Sequence, residues 1–97
     1  MINLEYPTMT LSDGDKRYRS VAINDSGDLV FEQTDSGPNT ARLAPNGGDS
    51  DYEYWVFVKS KNVNTVLLEL VRDTFSEQGQ FENWLKTKGI EYDFDSY

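Results

Sequence analysis

Tyr52-Glu53-Tyr54-Trp55-Val56-Phe57-Val58 is the densest run of strand-forming side chains in the chain, and Asp49 and Asp51 stand just ahead of it. Aromatic and β-branched residues fit a pleated, packed surface. Alternation assigns Tyr52, Tyr54, Val56 and Val58 to one face and Glu53, Trp55 and Phe57 to the other. Both faces are apolar toward the end of the run, which predicts a strand inside a sheet covered on both sides and not at a wet edge.

Working outward, the preceding residues predict a β-hairpin over 17–34. Arg19, Val21 and Ile23 alternate with Tyr18, Ser20 and Ala22, and Leu29, Phe31 and Gln33 alternate with Val30, Glu32 and Thr34. Asn24-Asp25-Ser26-Gly27 joins the two strands as a turn, with Asx side chains bonding their own backbone and Gly27 accepting positive φ. Ile2 to Tyr6 alternates as a brief strand, and Ser12-Asp13-Gly14-Asp15 is turn-prone. Asp35 to Ser50 reads as a long connection carrying Gly37-Pro38-Asn39 and Pro45-Asn46-Gly47-Gly48, with Leu43 anchoring its middle through a helical turn.

After the opening run, Val63, Val66, Leu67, Leu70 and Val71 recur at helical spacing and predict a helix with one apolar stripe, capped by Ser60 or Asn62. Phe81, Trp84 and Leu85 predict a second helix over 80–88. It ends at Gly89 in a left-handed cap with Ile90 returning toward Leu85. Ile90, Tyr92 and Phe94 then alternate with Glu91, Asp93 and Asp95 as a half-buried final strand. The expectation is a single α+β domain over residues 1–97. It is an antiparallel-rich sheet of about four strands with two helices packed on one face, in the order βββααβ.

Several of these segments together resemble a small group of uncharacterised short bacterial proteins: Gly27-Asp28-Leu29-Val30-Phe31-Glu32, Asp35 with Gly37-Pro38, Asp49-Ser50-Asp51-Tyr52-Glu53-Tyr54-Trp55, and Trp84-Leu85, Gly89-Ile90 and Tyr92. The resemblance covers about two thirds of the chain and implies the same fold and a bacterial origin, with no activity attached. In that group a Leu usually holds the position of Ser36, which implies a different packing of the loop here.

Composition narrows the chemistry. The chain has neither cysteine nor histidine, so disulfides, thiolate or imidazole metal ligands and Ser-His or Cys-His nucleophile pairs are excluded. Seventeen acidic and nine basic residues give a net charge of -8, which disfavours nucleic acid or an anionic membrane as a direct partner and favours a basic one. No basic and apolar leader follows Met1, and no apolar run approaches the roughly 20 residues that span a bilayer, so a soluble cytoplasmic protein is the expectation. Arg17, Arg19 and Arg42 form a basic group expected to pair with surrounding acids, and Trp55 and Trp84 sit in apolar patterns expected to be core.

Two acidic triples stand out. Asp49, Asp51 and Glu53 project from one face if the strand reaches back to residue 49, and Glu91, Asp93 and Asp95 repeat the arithmetic on the final strand. Should the two strands lie together, the triples would merge into one patch flanked by Tyr52, Tyr54 and Tyr97. Tyrosine beside acid suits recognition of an Arg-rich surface. Asp49, Asp51, Tyr52, Glu53, Tyr54, Glu91, Asp93 and Asp95 are therefore the candidate partner-binding residues, with no catalytic, cofactor or metal residue assigned.

These features favour a non-enzymatic binding module that occludes a basic protein partner, as an immunity protein covers a nuclease toxin. A nucleic-acid mimic of the anti-CRISPR type rests on the same charge argument. Other classes are an oligomeric or regulatory subunit using the aromatics of the opening run, and a carboxylate-based metal-binding protein or hydrolase. The spacing from Asp49 departs from an EF-hand loop, which needs Gly where Tyr54 stands and a carboxylate where Ser60 stands.

Overall fold

The strand over the opening run forms, and its hydrogen-bonded neighbour is the second strand of the predicted hairpin. The computed structural model describes residues 2–39 and 51–96. Strands β1 (Ile2–Glu5), β2 (Met9–Thr10), β3 (Lys16–Ile23), β4 (Leu29–Ser36) and β5 (Asp51–Val58) are followed by helices α1 (Ser60–Thr74) and α2 (Gln78–Lys88). All strand pairs are antiparallel, in the order β1-β3-β4-β5, with β2 also on β3. The fold is thus α+β, strands first and helices after. The chain divides into two compact units, Met1–Val63 and Asn64–Tyr97.

The hairpin is built as its turn residues dictate. Asn24 Oδ1 accepts the N–H of Ser26 at 3.0 Å and of Asp28 at 2.9 Å, and Gly27 takes φ 82°. No β-branched or bulky residue tolerates that conformation cheaply. From there the register runs from Ile23↔Leu29 to Lys16↔Ser36, two residues beyond the expected end of the second strand. The extension has a cause: Asp35 lies opposite Arg17, and their side chains pair across the ladder.

The segment before β3 returns twice to the same edge of that strand. Glu5 pairs with Ser20, Tyr6 N–H donates to Arg19 O at 3.0 Å, and Met9 then pairs with Arg17. Pro7, which has no N–H to give a ladder, stands between the two short pieces. At two residues, β2 is too short to leave an alternation in the sequence.

Helix α1 begins against the hairpin turn. Asp28, 9% exposed, accepts the Ser60 N–H on Oδ1 at 2.8 Å, and its Oδ2 lies 3.7 Å from Lys59 Nζ. The first-turn amide is therefore capped by a carboxylate 32 residues earlier, where the sequence pointed to Ser60 or Asn62. Asp28→Ala is expected to lower stability by about 1 kcal/mol, as losing a helix cap does. Urea unfolding of the two proteins checks this, and equal midpoints would count against the cap.

In the second unit, Phe75 packs against Phe81 and Trp84 with ring centroids 5.3 and 5.9 Å apart. Gly89 has φ 69°, its N–H donates to Lys86 O, and Ile90 N–H donates to Leu85 O at 3.0 Å. Both bonds of a Schellman ending are thus made.

Three expectations are corrected. Ile90 to Asp95 alternates like a strand yet forms none. The Gly89 cap turns the chain back along α2, where Tyr92 Oη donates to Glu82 Oε2 at 2.6 Å. A local helix contact takes the place of a ladder, and the four-residue β1 is the fourth strand along the sheet. The opening run, β5, is not interior: among the described residues it pairs with β4 alone and ends the sheet. Apolar residues on both faces report what lies above and below a strand, not what lies beside it, and the final strand that could have lain on its free side does not form. Trp55 and Trp84 are 48% and 41% exposed, so neither is the buried core residue its pattern suggested.

Candidate acidic sheet face and the carboxylates beneath it

The ladder register decides which side chains share a face. Glu5, Ser20, Glu32 and Trp55 form one row across four strands. Tyr18, Thr34 and Glu53 form the next, and Lys16, Ser36 and Asp51 the one after. Neighbouring strands lie about 4.8 Å apart, so Glu5 and Glu32 stand about 10 Å apart across Ser20. Glu53 is the diagonal neighbour of Glu32, at about 7 Å. Four carboxylates therefore project from this face over these rows, with Lys16, Tyr18 and Trp55 among them. Glu5, Tyr18, Asp51, Glu53 and Trp55 are exposed and Glu32 is half-buried.

A groove of about 270 Å³ opens at the first of these rows, lined by Glu5, Thr8, Tyr18, Ser20, Glu32 and Thr34, with Tyr6 and Arg19 at its side. The Arg19 side chain itself alternates to the opposite face. Its guanidinium carbon sits 4.8 Å from the centroid of the Tyr6 ring, and Nη2 donates to Pro7 O at 3.3 Å.

The opposite face carries a different carboxylate chemistry. Asp35, 6% exposed, accepts Arg17 Nε at 2.6 Å and Nη2 at 2.9 Å, and accepts the Tyr54 hydroxyl at 3.2 Å. The bidentate hydrogen bonds from Arg17 hold the Asp35 carboxyl below the usual carboxylate range, against the opposing effect of burial. Tyr54 is pushed up by burial first and by the Asp35 charge second. Tyr52 packs its ring edge-on to Tyr54 at 4.4 Å. Arg17 thus pairs with an acid as the sequence suggested, and Tyr54, an exposed residue, commits its hydroxyl to Asp35 of the same chain.

The eight sequence candidates therefore divide. Asp51 and Glu53 lie on the acidic face, Tyr52 and Tyr54 on the other, and Asp49, like Arg42 of the basic group, outside the described residues. Glu91, Asp93 and Asp95 belong to the second unit, and the strand pairing needed to merge them with Asp51 and Glu53 is not formed. The groups that join Asp51 and Glu53 are Glu5 and Glu32. Each alone is an ordinary polar residue in an alternating strand, and only the register brings them together. Among the described residues no three acidic side chains converge closely enough to hold a metal ion, and no helix is long and apolar enough to cross a membrane.

In the second unit Glu82 gathers polar partners. Tyr92 donates to it, Gln78 Nε2 donates to Oε1 at 2.6 Å, and Lys86 Nζ lies 3.5 Å away. The Tyr92 hydrogen bond holds the Glu82 carboxyl below its ordinary range and raises the Tyr92 phenol. This cluster ties the chain after Gly89 to α2. Comparison with protein-family models, with curated proteins and with solved structures finds no match to this chain.

Proposed function

We propose that this protein is a non-enzymatic binding module whose acidic sheet face occludes a basic protein partner, in the manner of an immunity protein covering the nucleic-acid surface of a nuclease toxin. The observation that carries the reading is the face itself, where Glu5, Glu32, Asp51 and Glu53 stand among Tyr18, Trp55 and Lys16. A surface that binds nucleic acid is studded with Arg and Lys. Carboxylates spaced 7 to 10 Å apart offer separate acceptors for such side chains, and the aromatics offer planes on which guanidinium groups stack. A net charge of -8 steers the encounter.

The test uses the full chain immobilised and exposed to extract from the cells that encode it. A basic nuclease is expected to be retained at low salt, to bind at least about tenfold more weakly at high salt, and to lose activity on adding the protein in equimolar amount. The Glu5→Lys, Glu32→Lys, Glu53→Lys triple variant, shown to be folded by circular dichroism, is expected to retain and inhibit nothing. Undiminished retention by that variant, or capture of no basic protein, would overturn the proposal.

A further inference from the structure

The two edges of the sheet are built differently. One is broken: β1 spans four residues and β2 two, and Pro7 separates them. Short edge strands and proline are the usual protections against strand addition. The other edge is β5, eight residues without Pro, Gly or an internal Lys, and with Trp55, Val56 and Phe57 each about half exposed or more. Among the described residues it is paired on one side only, so its outward N–H and C=O groups form a continuous row. A chain that protects one edge and leaves the other long, regular and aromatic has the form of a strand-pairing interface.

We infer that β5 pairs antiparallel with β5 of a second copy of this chain, about a two-fold axis through Val56. The axis position follows from elementary constraints. In an antiparallel pair, opposed residues share a face, so two-fold pairing within β5 must oppose residues whose numbers sum to an even value. Centring on Tyr54 sets Asp51 against Phe57 and Glu53 against Trp55. Centring on Trp55 sets Asp51 against Lys59 but Glu53 against Phe57. Centring on Val56 sets Glu53 against Lys59, Tyr54 against Val58 and Trp55 against Phe57. Of these three, this last arrangement alone sets no carboxylate against an aromatic ring, and it opposes opposite charges, an aromatic to a β-branched side chain and an aromatic to an aromatic, the favourable cross-strand pairs. Lys59 directly follows β5, with its side chain 72% exposed and its Nζ 3.7 Å from Asp28 Oδ2 of the same chain. The symmetry makes each contact twice.

Sedimentation of the full chain over a wide concentration range is expected to show a reversible doubling of mass. Val56→Lys, which places two ammonium groups together at the axis, is expected to remain monomeric over the same range. Glu53→Lys and Lys59→Glu are each expected to weaken the dimer about tenfold, and the double variant, which restores the opposed charges, is expected to recover it. Hydrogen exchange of the unmodified protein supplies a readout that needs no variant. Amides within 53–59 should gain protection as concentration rises while those of Ile2–Glu5 do not. A monomer at every concentration, a dimer indifferent to Val56→Lys, or single charge reversals that the double variant fails to repair would each overturn the inference.

Discussion

Gly37→Ala is expected to destabilise the protein by about 3 kcal/mol, through backbone strain and a clash that has nowhere to go. Gly37 has φ 141°, and a Cβ placed there would lie 2.3 Å from Asp15 Oδ1 and 2.5 Å from Asp15 Cγ. The obstacle is not the tip of a flexible surface side chain. Asp15 is 2% exposed, and its Oδ1 lies 3.4 Å from Asn39 N and 3.5 Å from Asn39 Nδ2. Relief would require either the buried carboxylate or the backbone leaving β4 to move.

Gly14→Ala is the matched comparison. Gly14 also has positive φ, at 93°, but a Cβ there meets nothing within 4 Å, so only the conformational cost of about 1 kcal/mol applies. Urea unfolding of the three proteins under one condition separates clash from conformation. Equal losses for the two alanine variants would mean that the Asp15 contact carries no weight.

The second large effect belongs to Asp35→Asn, with an expected loss of about 2 kcal/mol at neutral pH. That figure is below the 3 to 5 kcal/mol typical of breaking a fully buried ion pair, because the Arg17 side chain keeps 31% of its surface. The substitution leaves the guanidinium facing an amide and removes the charged acceptor of the Tyr54 hydroxyl. The pH dependence has a definite sign. The folded Asp35 pKa is lowered, chiefly by the hydrogen bonds from Arg17, whereas in the unfolded chain it returns to about 3.9. The stabilisation is therefore fully present above about pH 4 and is lost as the pH falls from there through the folded value. Denaturation midpoints of the two proteins should converge below pH 4, and a gap that stays constant down to pH 2 would sink the account.

What could be read in advance followed the range of the interactions involved. The hairpin was legible because Asn24 and Gly27 act within a few residues of themselves. The close of α2 was legible for the same reason, since Gly89, Ile90 and Leu85 are neighbours in sequence. Period-two alternation correctly separated Asp51 and Glu53 from Tyr52 and Tyr54. The same alternation misled at Ile90 to Asp95, because periodicity records which side chains are apolar and not which backbone will pair. There the Tyr92 to Glu82 hydrogen bond holds the segment beside the helix.

Other features depended on contacts no local pattern encodes. The Asp28 cap joins residues 32 positions apart, and Asp15 meets Gly37 across the sheet end. Half of the acidic face was hidden for a related reason. Glu5 and Glu32 acquire their common direction with Glu53 only once β1, β3, β4 and β5 are aligned in register.

The interruption of the outer edge at Tyr6-Pro7-Thr8 has a bearing on how large any assembly of this chain can become. Strand addition propagates without limit when a molecule offers two receptive edges, because every new copy presents a fresh one. Here the far side of β3 is met by four residues, a proline and two residues, which leaves no continuous template for another chain. Among the described residues the molecule's own second border therefore offers strand addition no place to continue, so assembly through β5 is expected to stop at two copies.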